Sequence, residues 1–219
     1  MAGILFIISA PSGSGKSTLV SQLRTLVEGL DFSISYTTRP PRGSEQDGLE
    51  YHFTSREEFE RMIAAGDFLE WAEVFGNYYG TAVTTLKHAK EAGKDLLLDI
   101  DVQGALQVMK KLREAVSIFI MPPSPQVLET RLRYRSEAEH VTSEAVIQSR
   151  LAEARNELKQ IWDYKYALVN DVLEQAVGEM RAIVLGERGV GDGVEDIALS
   201  CRTDAASPRL IAALNTFAG

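Results

Sequence analysis

Residues 4–30 constrain this chain more than any other stretch. Ile4-Leu5-Phe6-Ile7-Ile8-Ser9 is short, apolar and rich in β-branched side chains, the pattern of a buried strand. Leu19-Val20, Leu23, Leu26-Val27 and Leu30 then recur every three or four residues, as one face of a helix does. Between them lies Ala10-Pro11-Ser12-Gly13-Ser14-Gly15-Lys16-Ser17-Thr18, a segment that must turn a strand into a helix. A G-x-x-x-x-G-K-[ST] string carries phosphate-binding meaning only in that setting. Pro11, Ser12, Gly13, Ser14, Gly15, Lys16, Ser17 and Thr18 are therefore expected to hold a nucleoside triphosphate. Small residues at Gly13 and Gly15 let backbone N–H groups converge on the phosphates at the positive end of the helix. Lys16 can reach the β and γ oxygens, and the Ser17 hydroxyl can ligate Mg²⁺. One position departs from the pattern, because Ala10 stands where the first glycine would be.

A chain of 219 residues builds one α/β domain of ordinary size with small insertions. Its net charge of −8 argues against a general nucleic-acid surface, which needs clustered Lys and Arg. No apolar run approaches the roughly 20 residues of a membrane span. No basic region precedes the first apolar run, so no signal peptide is expected. The single cysteine, Cys201, cannot form an internal disulfide and suits a reducing cytoplasm.

Phe32 to Thr37 alternates apolar and polar residues, as a half-buried strand does, and Pro40-Pro41 stops it before a polar loop, Arg42 to Gly48. Tyr51-His52-Phe53 resumes a strand, Ser55 caps a helix running to Gly66, and Gly76-Asn77 is the turn of a hairpin between Phe68–Phe75 and Tyr78–Thr81. Residues 33–85 thus form a strand-rich insertion. After a helix over Val83–Ala92, Asp95 to Asp101 reads as an apolar strand ending in carboxylates, Asp99 and Asp101. In a phosphate-loop protein such a strand brings acids to the metal-bound phosphates. Val102–Leu112 predicts a helix, Ala115–Met121 a buried strand, and Ser124-Pro125 the start of a helix carrying Arg131, Arg133 and Arg135. At about 100° per residue, Arg131 and Arg135 are neighbours and Arg133 points away. Ser136–Thr142 lacks periodicity and reads as a tip, after which Ser143 caps a helix with Arg150 near its start. This helix, loop, helix piece reads as a lid. A strand at Tyr166–Val169 and a helix from Leu173 to Val184 close the pattern. Gly189, Gly191 and Gly193 then suggest a linker before a short helix at Pro208–Phe217.

A strand, phosphate loop, helix core with an inserted module and an arginine-bearing lid suits phosphoryl transfer between two bound nucleotides. That chemistry needs alignment, charge neutralisation and water exclusion. A phosphate-monoester acceptor, with its second pKa near 6, requires no general base at pH 7.

Several motifs go further: Ser35-Tyr36-Thr37-Thr38-Arg39-Pro40-Pro41-Arg42, Asp47-Gly48-x-x-Tyr51-His52-Phe53, Phe68-Leu69-Glu70-Trp71-Ala72, Gly76-Asn77-Tyr78-Tyr79-Gly80-Thr81 and Leu98-Asp99-Ile100-Asp101-Val102-Gln103-Gly104. In this order they resemble guanylate kinase, a family of P-loop nucleoside monophosphate kinases, from about residue 4 to 186. The resemblance implies ATP + GMP ⇌ ADP + GDP with Mg²⁺. It also implies an α/β P-loop NTPase core with a parallel sheet flanked by helices (1–32, 86–124 and 160–187), a GMP-binding insertion (33–85), a helical lid (125–159) and an extension (188–219). It places Arg39, Arg42, Tyr51 and Tyr79 on the GMP phosphate and Ser35, Glu70, Thr81 and Asp99 against guanine. Asp99 and Asp101 would organise magnesium waters, with Arg135 and Arg150 as lid arginines at the transferring group. Ser136 departs from the family's usual glycine, and the lid tip is a few residues longer.

Guanine's Watson–Crick edge presents N1–H and N2–H donors side by side, which one carboxylate accepts together, whereas adenine offers an acceptor at N1. The main selectivity role therefore falls to Glu70. Two other readings share the fold. A guanylate-kinase-like module that binds a phosphorylated peptide would be expected to lack the loop lysine or lid arginines, and this chain keeps Lys16, Arg135 and Arg150. A kinase for another monophosphate fits poorly with the Glu70 and Asp99 pairing. His52, His88, His140 and Cys201 show no metal-ligand spacing.

Overall fold

The computed structural model describes residues 3–138 and 143–218. Among the described residues the elements run β1 (Leu5–Ser9), α1 (Lys16–Leu26), β2 (Leu30–Phe32), β3 (Tyr36–Thr37), β4 (His52–Phe53), α2 (Arg56–Ala65), β5 (Phe68–Val74), β6 (Asn77–Ala82), α3 (Val83–Ala92), β7 (Asp95–Asp99) and α4 (Val102–Lys111). They continue as β8 (Val116–Met121), α5 (Pro125–Ala138), α6 (Glu144–Leu158), β9 (Tyr166–Val169), α7 (Leu173–Glu187), α8 (Glu195–Ser200) and α9 (Pro208–Thr216), with short 3₁₀ turns at Ile161–Asp163 and Thr203–Ala205.

The fold is mixed α/β, with a sheet core in the order β2-β7-β1-β8-β9 flanked by helices. The β2/β7 pair is parallel, and so is the β8/β9 pair. Phe6, Ile7, Ile8, Leu97, Leu98, Ile118, Phe119 and Ile120 have no solvent exposure. Strands covered on both faces read as continuous apolar runs, which is why the sequence shows them as runs and not as alternation.

The chain divides into two compact units. One holds the residues up to Ile7 together with Gly29–Ala115, and the other holds Ile8–Glu28 together with Val116 onward. The first unit carries a second sheet, ordered β4-β3-β6-β5. The strand expected over Phe32–Thr37 is broken in two, because β2 pairs with β7 while Tyr36 and Thr37 pair with Gly80 and Tyr79 of the second sheet. The hairpin of β5 and β6 is present, but its turn is Phe75-Gly76 and not Gly76-Asn77. Asn77 already pairs with Val74, and the positive φ values that a two-residue turn demands fall on Phe75 (49°) and Gly76 (79°).

In the second unit α5 and α6 pack through Leu128, Leu132 and Ala154, with Leu151 and Phe217 against them. The tip expected over Ser136–Thr142 is helical at its start, because α5 continues through Ser136 to Ala138. Ser136 is buried, and its Oγ accepts from Arg150 Nη1 at 3.4 Å. Residues 139–142 lie outside the described residues. Ser143 precedes α6 without a side-chain cap bond. Instead the neighbouring Glu144 takes the Arg133 guanidinium at 2.7 Å, and its carboxyl is held down near about 2 by that fork and by Gln148. Arg133, also bound to Glu129, thereby turns away from Arg131, as the helical spacing predicts.

The tail departs most from expectation. Residues 188–218 are not a linker ending in one helix. Cys201 O accepts from Ala167 N at 2.8 Å, Thr203 N donates to Lys165 O at 3.1 Å, and Tyr166 bridges Arg202 antiparallel, so this segment covers the outer edge of β9.

Candidate active site

The candidate side chains fall into two sets, one in each unit. In the second unit the loop after β1 enters α1 through Gly15, whose φ of 86° closes the turn and which supplies no side-chain cap. The helix N-terminus therefore meets no capping side chain of its own, the condition in which it binds an anion. Ser14 N donates to Pro11 O at 3.0 Å, which tightens the loop. Ser14 O in turn accepts from Asn170 Nδ2 at 2.7 Å and from Arg131 Nη1 at 3.1 Å, and Arg131 Nη2 donates to Asn170 O at 3.1 Å. Those contacts fix the plane of the Ser14–Gly15 peptide. Because the peptide is trans, the Gly15 N–H faces away from them. A Cβ on Gly15 would lie 2.4 Å from Asn170 Nδ2, so this close approach, as well as the backbone angle, requires glycine. Asn170 and Arg131 were not singled out for this site by the sequence: no local pattern announces an asparagine 156 residues away. Lys16 is the first residue of α1, half-exposed, followed by exposed Ser17 and Thr18. Arg135 is exposed and Arg150 is buried beside Ser136.

The first unit gathers the other set. Glu70 on β5 lies opposite Thr81 on β6. Both are buried, at 2% and 0% exposure, and neither Glu70 Oε1 nor Thr81 Oγ1 has a hydrogen-bond partner among the described residues. Burial first, and the charge of Asp101 second, push the Glu70 carboxyl up to about 7. The α4 helix holds this carboxylate from behind. Lys111 Nζ donates to Leu69 O at 2.5 Å and Gln107 Nε2 to Trp71 O at 2.6 Å, gripping the strand on both sides of residue 70. A Cβ at Gly104 would sit 2.3 Å from Glu70 Oε2, so the absence of a side chain there gives the carboxylate its place.

Arg39 is 6% exposed and forks onto Glu45, Nη1 to Oε2 at 2.9 Å and Nη2 to Oε1 at 3.0 Å. Its guanidinium lies 5.3 Å from the Tyr51 ring centre, and the Tyr51 and Tyr79 rings meet at 5.9 Å. Arg42 N donates to Glu45 Oε2 at 2.8 Å, while the Arg42 side chain stays on the exposed rim. Burial by itself would raise Glu45, yet the Arg39 fork and the Arg42 amide hold it below the usual carboxylate range. Arg39, Tyr51 and Tyr79 are thus brought together, and Glu45, which the sequence did not single out, holds the Arg39 guanidinium and the Arg42 backbone amide. Ser35 is buried on the same module, its carbonyl accepting from His52 N at 2.9 Å.

Asp99 ends β7, and Asp101 caps α4 by accepting from Gly104 N at 3.0 Å. Both side chains are hard oxygen donors, as is the Ser17 hydroxyl in the other unit. Among the described residues no group of three or more His, Cys, Asp or Glu forms a closed metal cage. Hard oxygens of this kind suit Mg²⁺, which keeps several waters and takes only one or two protein oxygens beside substrate phosphates. No helix among the described residues is long and apolar enough to cross a membrane.

The guanylate kinase family model matches residues 3–187. Guanylate kinase from Koribacter versatilis is 58% identical over 188 residues, 86% of this chain and 80% of that one. Guanylate kinase from Neisseria gonorrhoeae is 52% identical over 182 residues, 83% of this chain and 87% of that one. The crystal structure of guanylate kinase from Anaplasma phagocytophilum aligns with a TM-score of 0.70 at 35% identity, over 85% of this chain and 86% of that one. A family match over most of the chain and relatives more than half identical over that span show that the chain belongs to the guanylate kinase family.

Proposed function

We propose that this enzyme transfers the γ-phosphoryl group of ATP to GMP, giving ADP and GDP, with Mg²⁺ and in the cytoplasm. The observation that carries the acceptor's identity is the Glu70 carboxylate, buried with Oε1 unpartnered in the strand module that also holds Arg39. A buried polar group without a partner is costly unless a ligand supplies one, and the N1–H and N2–H pair of guanine is such a partner.

In this reading the backbone of residues 11–18 and Lys16 hold the donor phosphates. Arg39, Arg42, Tyr51 and Tyr79 hold the acceptor phosphate, and Ser35, Glu70, Thr81 and Asp99 face the base. Residues 33–85 act as the acceptor module, 125–159 as the lid and the remainder to 187 as the core. Arg135 and Arg150 reach the group in transit. Mg²⁺, held by Ser17 and through water by Asp99 and Asp101, would neutralise phosphate charge. The acceptor dianion attacks without a general base, so the work of the chain is to align two anions and exclude water. Arg39 carries Glu45 as its counter-ion, so an incoming phosphate would share that guanidinium with it.

The test is ADP release with Mg²⁺-ATP against a panel of monophosphates. Turnover with GMP well above that with AMP, CMP and UMP is expected. Equal rates for GMP and AMP would defeat the assignment, and no turnover with any of them would favour a phosphopeptide-binding module. The Gly104→Ala variant provides a sharper check. The new methyl group displaces the Glu70 carboxylate, so KM for GMP is expected to rise about tenfold or more while KM for ATP stays within twofold. An unchanged KM for GMP would remove Glu70 from the base site.

A further inference from the structure

The segment after residue 187 lies outside the family match, yet it reaches the phosphate loop by two routes within the second unit. The first runs through Arg209. Its Nη2 donates to Val169 O at 2.6 Å and pairs with Asp171, and its Nη1 pairs with Glu179. Val169 and Asp171 are the two neighbours of Asn170, the residue whose side chain fixes the Ser14 carbonyl. Ser207 caps α9 by accepting from Leu210 N at 3.3 Å, and Pro208 begins it, so Arg209 sits at the rigid start of a helix whose Leu210 is buried. The second route runs through Phe217, which packs against the cluster of Leu128, Leu132 and Ala154, the two leucines belonging to α5. Those leucines lie at 3.0 Å from where a Cβ on Gly13 would be.

We propose that α9 is a brace for the donor-phosphate loop and that Arg209 is a positioning residue which acts on that loop through Asn170. The proposal rests on the reading of residues 11–18 as the ATP site. The geometry separates this role from general stabilisation: Arg209 grips the chain on both sides of Asn170, and Asn170 with Arg131 sets the peptide plane that aims the Gly15 amide. Losing the grip lets Asn170 shift. A displacement of a fraction of an ångström at phosphate-binding amides weakens ATP without touching the acceptor module.

Direct ATP binding and steady-state kinetics on the full chain test this. Arg209→Ala is expected to raise Kd and KM for ATP roughly tenfold while KM for GMP stays within twofold. In a double-mutant cycle, Arg209→Ala should have no further effect on ATP in an Asn170→Ala background, because both remove one constraint. Arg209→Lys, which keeps the charge and a donor, should recover part of the loss. Equal weakening of ATP and GMP, or additive effects in the cycle, would overturn the proposal and leave Arg209 as an ordinary stabilising residue. Should Arg209→Ala fail to fold, Asp171→Asn loosens the same grip while sparing the Glu179 pair, and is read the same way. If the unmodified chain itself binds no ATP, the loop assignment fails first. If it binds ATP and Arg209→Ala binds equally well, the brace alone fails.

Discussion

Lys16→Ala is expected to lower kcat by roughly 10³-fold or more while leaving the fold intact. Charge builds on the phosphoryl oxygens as the bond to the leaving group stretches, and a fixed ammonium at the helix entrance stabilises that state more than the ground state. Lys16 opens α1 with its side chain half-exposed, and alanine is the better helix former, so thermal stability should stay within a degree or two of the parent. KM for GMP should be unchanged, because the acceptor set lies on other residues. Lys16→Arg should not rescue, since a planar guanidinium does not replace a compact point charge in a loop closed by the Pro11 to Ser14 bond. ADP release measured by a coupled assay beside a thermal melt decides the matter. A variant with kcat within tenfold of the parent would remove Lys16 from the chemistry.

The parts of this architecture that could be read from sequence are those in which cause and effect are close along the chain. The apolar run before the phosphate loop, the periodicity of α1 and the helix stop at Gly93 all depend on neighbours within a few residues. The features that escaped reading depend on distant partners. Asn170 matters only because β9 delivers it to Ser14, and Gly104 only because α4 lies against Glu70; nothing near either residue signals the contact. Glu45 looked like loop polarity and proves to hold Arg39. The tail was misread for a related reason. Gly189, Gly191 and Gly193 adopt positive φ in turns and do not form a flexible tether, and α8 is only six residues long, too short to display a helical period. Its packing is fixed by the open edge of β9, which no inspection of residues 188–219 alone reveals. Ser136 likewise continues α5 because burial beside Arg150 outweighs its own weak helix preference.

Glu70→Gln is expected to trade specificity for stability. The Glu70 carboxyl titrates near about 7 in the folded chain against an ordinary value of 4.5, chiefly because it is buried. Between those values the folded chain holds a proton that the unfolded chain has released, so stability falls as pH rises through this window. The full penalty, up to about 3 kcal/mol, applies above pH 7. Glutamine carries no charge to bury. The variant without nucleotide should therefore melt higher than the parent at pH 8, by about 2–4 °C per kcal/mol recovered, and the gain should vanish near pH 4.5. Function should move the other way. Glutamine offers one acceptor and places its NH₂ donor against a guanine donor, so kcat/KM for GMP is expected to fall by about 10²- to 10³-fold. The same NH₂ suits the adenine N1 acceptor, and the preference for GMP over AMP should shrink by up to 10⁴-fold. ATP affinity should be unaffected. In the parent the carboxylate must be ionised to accept both guanine donors, so KM for GMP should rise below pH 7 by up to about tenfold per unit, whereas the variant should retain only the shallower dependence that comes from GMP's own phosphate. Melts across pH 4.5 to 8 together with GMP and AMP kinetics measure every arm. A variant that is no more stable at pH 8 and still discriminates against AMP would show that Glu70 is neither buried at a cost nor the reader of the base.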